Sequence, residues 1–376
     1  LSKNRKISVF LPGFMLEYLI LLIFVIYLLS LYLGFVLLFF NASPRNHHYS
    51  EIAVLVIARN EEKNIGFLLQ DLYLQTVQPG RIYFFDDHSD DGTIDIALSF
   101  LEKFNGKLIL ERGLPIYGKK DVLEYALKKI PEEWVITVDA DCRLKPTWLA
   151  SIAGQMDNDV RMIASPVLMQ HESNIWTRWV YTEHAIVMAA GYIFAGLRFP
   201  LYVSGANMLF RKQDMLRYFE VKNQLLPYGD DVFFMQYLLK KHGQKTICFS
   251  TDSDSIVLTR SPHNVREWFL QRIRWLTKSK AYELKYPLWI GMLLFLVELT
   301  LWIYLIFNFS FSLLLLIVKS LLQTLLLAFI LKKWKYPFYC CLAWISFIFY
   351  FWLLLLYAII TLFFDVKEWK GRSFQK

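Results

Sequence analysis

The run from Tyr18 to Phe40 contains no charged residue, and it is longer than the roughly 20 apolar residues a helix needs to cross the hydrocarbon core of a bilayer. It is therefore read as a membrane helix. A signal-peptide core is shorter, about 7 to 15 residues, and Asn41-Ala42-Ser43-Pro44 offers no small-residue cleavage site, so the helix is expected to remain as an anchor. Three more apolar runs follow towards the other end. Leu288 to Phe307 is interrupted only by Glu298, Phe311 to Leu331 only by Lys319, and Tyr336 to Phe364 by no charge at all. They predict three further spans. Glu298 and Lys319 are costly at membrane depth, so they should face the bundle or a wet cavity, and they can meet across the turn Asn308 to Ser310 as a structural polar pair. With 56% hydrophobic residues, the chain is neither disordered nor an ordinary soluble protein.

Between the anchors, Ser50 to Tyr286 mixes charge with short apolar runs, the pattern of an α/β domain with a mostly parallel sheet. Ile52 to Ala58 reads as a buried strand, Glu61 to Leu74 as a helix, Arg81 to Phe85 as a strand and Gly92 to Phe104 as a helix. The alternation continues through Lys107 to Leu110, Asp121 to Lys129 and Trp134 to Val138. The implied organisation is an anchor over 1–45, an α/β domain over 46–263, an amphipathic interfacial helix over 264–286, a three-span bundle over 287–366 and a basic tail over 367–376. Cys142, Cys248, Cys340 and Cys341 form no CxxC, which excludes a zinc ribbon or a disulfide scaffold and fits chemistry facing a reducing compartment. The net charge of +8 could suggest nucleic acid, but no basic-aromatic module is present. Anionic lipid headgroups are the simpler partner for Lys and Arg that flank apolar segments.

Open parallel sheets place ligands at the carboxyl ends of their strands. Two such ends are acidic here. The second strand runs into Asp86-Asp87-His88-Ser89-Asp90-Asp91-Gly92-Thr93, which serves equally as a turn that caps a helix. The fourth runs into Asp139-Ala140-Asp141. Two carboxylates one residue apart suit a hard divalent ion that keeps its other positions for phosphate and water.

Together with Val54 to Glu62, Gly118-Lys119, Ser204-Gly205-Ala206-Asn207, Gly229-Asp230-Asp231 and Gln271-Arg272-Ile273-Arg274-Trp275, these segments resemble the ordered motifs of family 2 glycosyltransferases. The Gln-x-x-Arg-Trp pattern is similar to that of the membrane-bound branch, which includes cellulose, hyaluronan and poly-N-acetylglucosamine synthases and ceramide-type lipid glucosyltransferases. The resemblance implies a GT-A fold (nucleotide-diphospho-sugar transferase), a nucleotide-sugar donor with UDP-sugar the expected type, Mg²⁺ or Mn²⁺, and inversion at the anomeric carbon. It implies that Ala58, Arg59 and Glu61 line the nucleotide, that Asp87 contacts the base, and that Lys119 lies near the nucleotide. It puts Asp139 near the sugar-nucleotide, Asp141 on the metal and Asp231 in the role of general base. Asp230 stands where relatives often have Glu, which leaves both carboxylates in play for proton abstraction.

Inverting transfer is a displacement at C1, so it needs a base within about 3 Å of the acceptor hydroxyl and an electrophile on the departing diphosphate. Gln271 and Arg274 share a helix face at a spacing of three, and Trp275 beside them offers an aromatic surface to an acceptor. The same segment, Asn264 to Tyr282, is also a basic amphipathic helix of the interfacial kind. Ser204 to Asn207 forms either an acceptor-side wall or a tight turn before a strand at Met208 to Phe210, and Glu183-His184 is expected to pack within an apolar helix. His88, His242 and His263 lack HExxH spacing, so zinc is not expected.

A nucleotidyltransferase would need a Gly-rich loop where Ala58-Arg59-Asn60-Glu61 stands, and a noncatalytic nucleotide-binding scaffold would not need Asp231 with Gln271, Arg274 and Trp275. A transporter would need a paired broken-helix site. The acceptor is expected to be a lipid, a lipid-linked group or a growing glycan. Sparse polar residues in the spans favour a lipid over the polar channel of a processive polysaccharide synthase, and a partner subunit remains open. A cytosolic catalytic domain on the cytoplasmic membrane puts the amino terminus outside, against the pull of Lys3, Arg5 and Lys6 under the positive-inside rule. With three later spans the tail bearing Lys367, Lys370 and Arg372 would also lie outside, whereas Lys332, Lys333 and Lys335 fit an inside loop. One apolar segment that is re-entrant or interfacial would ease this conflict.

Overall fold

The computed structural model describes residues 4–40, 51–221, 229–364, 368–369 and 372–373. Of the residues in the topology argument, Lys3, Lys367 and Lys370 lie outside them, as does Asn41 to Ser50. Helix α1 (Asn4–Phe40) carries the first apolar run. Beyond it, strands β1 (Ile52–Ala58), β2 (Arg81–Asp86), β3 (Leu108–Glu111) and β4 (Trp134–Asp139) alternate with helices α2 (Ile65–Tyr73), α3 (Thr93–Leu98) and α4 (Lys119–Lys129). The four strands are parallel neighbours. After α5 (Trp148–Ala153) come β5 (Met162–Ala164), β6 (Val167–Met169), α6 (Ile175–Gly196), β7 (Asn207–Arg211), α7 (Lys212–Val221), α8 (Asp230–His242), β8 (Ile247–Phe249) and β9 (Val257–Thr259). The main sheet has the order β3-β2-β1-β4-β7-β5-β8, with β7 antiparallel to both neighbours.

Period-two alternation divides the sheet's side chains between two cores. Ile52, Val54 and Val56 of β1 with Ile136 and Val138 of β4 pack on α2, α5 and α6. Ala53 and Leu55 with Val135 pack on α4, α7 and α8. Both faces of β1 are covered, which explains its unbroken apolar sequence. The helix expected over Glu61 to Leu74 begins only at Ile65, because Asn60 takes a left-handed φ of 54° and the chain turns before helix can start. The helix expected over Gly92 to Phe104 ends at Leu98 and resumes as a 3₁₀ turn at Glu102–Phe104.

The core on the α6 side does not stop at the domain edge. It runs on into Leu31 and Leu38 of α1, and into Leu327, Ile330 and Trp334 of the apolar helix that spans Phe309–Trp334. Helix α6 is the shared element. Asn174 caps it by accepting the Thr177 N–H at 2.8 Å, and its Gly196 crosses Gly34 of α1 so closely that a Cβ on Gly196 would lie 2.1 Å from the Gly34 carbonyl oxygen.

After α9 (Val265–Thr277) come α10 (Tyr286–Phe307), α11 (Phe309–Trp334), α12 (Cys340–Ile348) and α13 (Tyr350–Phe363). Helices α1, α10 and α11 are long and apolar enough to cross a membrane. Asn308 ends α10 and caps α11, while its amide donates to Glu17 of α1 at 2.8 Å. As the sequence predicts, the Lys319 ammonium of α11 donates to the Glu298 carboxylate of α10, and both are buried. The last apolar run forms two helices, α12 and α13, bent by 64° at Phe349, the geometry of a broken span or of a re-entrant loop. Both ends of this pair rest on elements outside the apolar bundle. Tyr181 of α6 donates to the Pro337 carbonyl at 2.8 Å, and at the other end the Phe364 ring meets Phe269 of α9 and its carbonyl accepts from Lys280 at 3.3 Å. A nine-residue α12 is about 14 Å long, half the thickness of a bilayer core, so α12 is too short to cross by itself.

Replacing Glu298 with Leu strands the Lys319 ammonium in an apolar bundle and is expected to cost about 3 kcal/mol. Thermal unfolding in detergent should show the loss. The Glu298→Leu/Lys319→Leu double variant should recover most of it.

Candidate active site

Three adjacent parallel strands bring their carboxyl ends together. The register pairs Ala58 with Asp86 and Ile57 with Asp139, so Arg59, Asp87 and Asp141 emerge along one edge of the sheet. The Arg59 guanidinium donates to the Asp87 carbonyl at 3.3 Å, and the Asp87 carboxylate accepts the Gly118 N–H at 3.0 Å. Burial raises the Asp87 carboxyl above its ordinary range against that N–H and the Arg59 charge. The Glu61 N–H donates to the Thr93 hydroxyl at 2.7 Å, which ties the turn after β1 to the turn after β2.

Asp139 and Asp141 face a cavity of about 850 Å³. The Lys119 ammonium donates to Asp139. Asp141 accepts from the Thr259 hydroxyl at 3.1 Å, because β9 pairs with β6 and its Leu258 exchanges backbone hydrogen bonds with Arg143, two residues beyond Asp141. Burial, with Asp139 and Glu61 nearby, pushes the Asp141 carboxyl up to about 6. An electron-rich pocket of that kind favours a cation. Among the described residues no group of three His, Cys, Asp or Glu side chains is placed to hold a metal alone. Any ion here would draw one or two carboxylates from the protein and its remaining ligands from phosphate and water.

Asp230 and Asp231 open α8, where carboxylates complement the helix dipole. Gly229 before them has φ 95°, a conformation glycine takes without strain. Asp231 accepts the Gly205 N–H at 3.1 Å and the Val232 N–H at 2.8 Å, and Lys278 donates to it at 3.2 Å. Asp230 sits 3.7 Å from the Lys120 ammonium. Ser204 to Ala206 also line the cavity as they lead into β7, so the wall and the turn proposed for this segment are one structure.

Helix α9 is capped by Asn264, which accepts the Glu267 N–H at 3.0 Å while the Glu267 carboxylate accepts the His263 N–H at 2.9 Å. Its Gln271, Arg274 and Trp275 line the cavity. Asp139, Asp141, Asp230, Asp231, Lys119, Gln271, Arg274 and Trp275 are thus brought around one space, whereas Ala58, Arg59, Glu61 and Asp87 lie at the neighbouring strand ends and are not among its lining residues.

Motif reading alone passed over the residue that holds α9 in place. Arg272, 2% exposed, donates through Nε to Glu183 of α6 at 3.2 Å and through Nη2 to the same carboxylate, and Tyr357 of α13 donates to it as well. Burial pushes the Glu183 carboxyl up, yet the Arg272 charge and hydrogen bonds outweigh it and hold it below the usual range. The Arg272 guanidinium lies 4.5 Å from the Trp275 ring centroid and donates to the Gln271 side chain at 2.8 Å. His184 packs as expected: its Nε2 is 3.0 Å from the Val167 carbonyl, its ring lies 5.4 Å from Trp275, and burial with the Arg272 charge presses it down to about 4. A lone Glu within apolar α6 was the available signal, since a buried carboxylate demands a cationic partner.

The architecture is an α/β fold with a mostly parallel sheet and GT-A neighbours. Residues 53–219 match the family model for Glycosyl transferase family 2. Among solved structures, the mannosyltransferase PcManGT from Pyrobaculum calidifontis, in complex with GDP-Man and Mn²⁺, is 14% identical over 93% of this chain and 99% of its own, with a TM-score of 0.57. Glucosyl-3-phosphoglycerate synthase from Mycobacterium tuberculosis, in complex with Mn²⁺, uridine-diphosphate and glucosyl-3-phosphoglycerate, is 16% identical over 58% of this chain and 74% of its own, with a TM-score of 0.40. No curated protein matches the chain. The family match covers less than half of the chain, within the α/β part, and the likeness to PcManGT is a likeness of fold.

Glu183→Gln leaves the Arg272 charge buried without its counter-ion. A loss of about 3–5 kcal/mol is expected, read as a lower unfolding midpoint together with a changed fluorescence of the tryptophans around Arg272.

Proposed function

We propose that this chain is a membrane-bound inverting glycosyltransferase of the Gln-x-x-Arg-Trp type, which moves a sugar from a nucleotide-sugar to a lipid or lipid-linked acceptor at the cytosolic face of the cytoplasmic membrane. The observation that carries this reading is the reach of the cavity. It extends from Asp139, Asp141 and Asp231 to Phe295 of α10 and to Leu354 and Leu362 of α13. A polar headgroup at one end and an apolar chain at the other match that lining. The alternative, a polysaccharide synthase, needs a polar channel, and here the polar groups of the spans are engaged with each other: Lys319 with Glu298, and Gln323 with Tyr27 at 2.6 Å. A re-entrant α12–α13 pair would keep the carboxyl-terminal tail on the cytosolic side with Lys332, Lys333 and Lys335, which removes the tail's conflict with the positive-inside rule.

In this reading Arg59 and Asp87 meet the nucleotide and Lys119 stands near it. Asp141, with Asp139, would hold Mg²⁺ or Mn²⁺, which when bound supplies positive charge to the leaving diphosphate. Asp231 takes the proton from the acceptor hydroxyl as the new bond to C1 forms and the C1–O bond to the diphosphate breaks. Gln271 and Arg274 offer N–H groups to the departing charge, where one well-placed donor is worth about 3 kcal/mol. Arg272 holds Trp275 at the cavity wall for the acceptor.

The test is nucleotide release and organic-extractable product from the full-length protein in detergent with Mn²⁺, UDP- and GDP-sugars and a natural membrane lipid extract. A singly glycosylated lipid supports the reading, and a long water-soluble polymer overturns it. Asp231→Asn should lower turnover about a thousandfold with nucleotide binding intact. The enhancement of nucleotide binding by Mn²⁺ should vanish in Asp141→Asn. In the wild type it should decline as pH falls through about 6, because the ion requires the ionised carboxylate and protons compete for it. Calorimetric titration at several pH values reads both effects.

Gly291 of α10 lines the cavity, and its Cβ position opens onto free space. Gly291→Trp should narrow the corridor and raise KM for the lipid acceptor about tenfold while kcat and nucleotide binding hold.

A further inference from the structure

Lys278 follows α9 directly, three residues after the Gln-x-x-Arg-Trp segment, and its ammonium reaches back over the start of α8 to the Asp231 carboxylate at 3.2 Å. Neither group is free in solvent, the two side chains being 13% and 20% exposed. The path of the lysine stem is built into α8. A Cβ on Gly229 would lie 3.1 Å from Lys278 Cδ, so the residue that caps α8 with a positive φ also leaves room for the lysine. Both Lys278 and Asp231 line the cavity.

We propose that Lys278 is a positioning residue, whose ammonium clamps the Asp231 carboxylate in the charged, cavity-facing state that receives the acceptor's proton. The inference rests on Asp231 acting as the base. Oδ1 of Asp231 accepts from Lys278 and from the Val232 N–H, and Oδ2 accepts from the Gly205 N–H. Three donors on two oxygens fix the plane of the carboxylate. Each oxygen retains further acceptor capacity for a substrate hydroxyl. Burial alone pushes the Asp231 carboxyl up; the Lys278 charge and the two backbone N–H groups overcome it and leave it below its ordinary value. Lys119 on α4, Tyr218 on α7 and Tyr282 after α9 also interact with its charge, and Asp230 adjoins it with Lys120 as partner. In the reaction the acceptor O–H gives its proton to Asp231, the oxygen bonds C1, and the diphosphate leaves with the electron pair of the broken bond. The proton on Asp231 then returns to water, a release that the adjacent cation favours.

The sign of the pH effect follows. Transfer requires the carboxylate, so a carboxyl held low keeps the enzyme active to lower pH. Without the lysine, the acidic limb of the turnover profile moves to higher pH. The experiment uses full-length wild type, Lys278→Met, Lys278→Arg and Asp231→Asn in detergent, each with Mn²⁺. Infrared difference titration, with Asp231→Asn assigning the carboxyl band, reads the Asp231 midpoint without any need for turnover. The midpoint should rise by about one pH unit or more in Lys278→Met and return towards wild type in Lys278→Arg. The acidic limb of nucleotide release from the UDP- and GDP-sugar panel should move with it, while nucleotide affinity stays unchanged. An unmoved midpoint in Lys278→Met overturns the proposal. A midpoint that moves while Asp231→Asn still transfers sugar sustains the clamp and overturns the base assignment instead. If Lys278→Met loses nucleotide binding through misfolding, Lys278→Gln takes its place in the same titration.

Discussion

One carboxylate, Glu183, holds three parts of this protein in register. It lies on α6, whose apolar surface joins the sheet to the membrane helices, and it receives Arg272 from α9 and Tyr357 from α13. A buried carboxylate without a cation would cost several kcal/mol, and so would a buried guanidinium without an anion. The chain satisfies both with one pair, whose Arg272 also borders the cavity. Arg272 in turn backs Trp275 and Gln271, so this part of the cavity wall inherits its geometry from the ion pair.

The consequence is an α/β half and an apolar helical half that share their interior. The core on one face of the sheet continues into α1 and α11, and α6 crosses α1 where two glycines allow the backbones to meet. In a domain tethered by a loop, the cavity could reach the bilayer in many orientations. Here the orientation is set by packing, because α9 and α13 meet at Glu183 and both line the same space. Interfaces of this sort resist sliding for the reason cores do: a shift of one side chain forces its neighbours off their rotamers.

Much of this was legible from local pattern. The parallel strands announce themselves as apolar runs because each is covered on both faces, and the carboxylates after β2 and β4 stand out because they end such runs. Glu298 and Lys319 were legible as a pair because the hydrocarbon leaves two charges few other solutions. The fate of the last apolar run was not legible. Hydropathy reports the length of an uncharged segment, and neither the bend at Phe349 nor the contacts of its ends with α6 and α9 leave a mark in it. Equally hidden was Arg272, which the Gln-x-x-Arg-Trp pattern treats as a filler position, because its partner Glu183 lies 89 residues away along the chain, and the Tyr357 that shares this carboxylate lies 174 residues from it.

Spacing, periodicity and charge within a window of some ten residues settled the class of fold, the acidic strand ends, the amphipathic helix and the presence of membrane helices, since each reflects how a short segment meets water or lipid. Which lysine meets each carboxylate at the start of α8, and where the ends of the last apolar segment rest, were decided only when distant elements packed. Burial turns a surface charge into one that must find a partner, and that partner is chosen by three-dimensional proximity, which no local window contains.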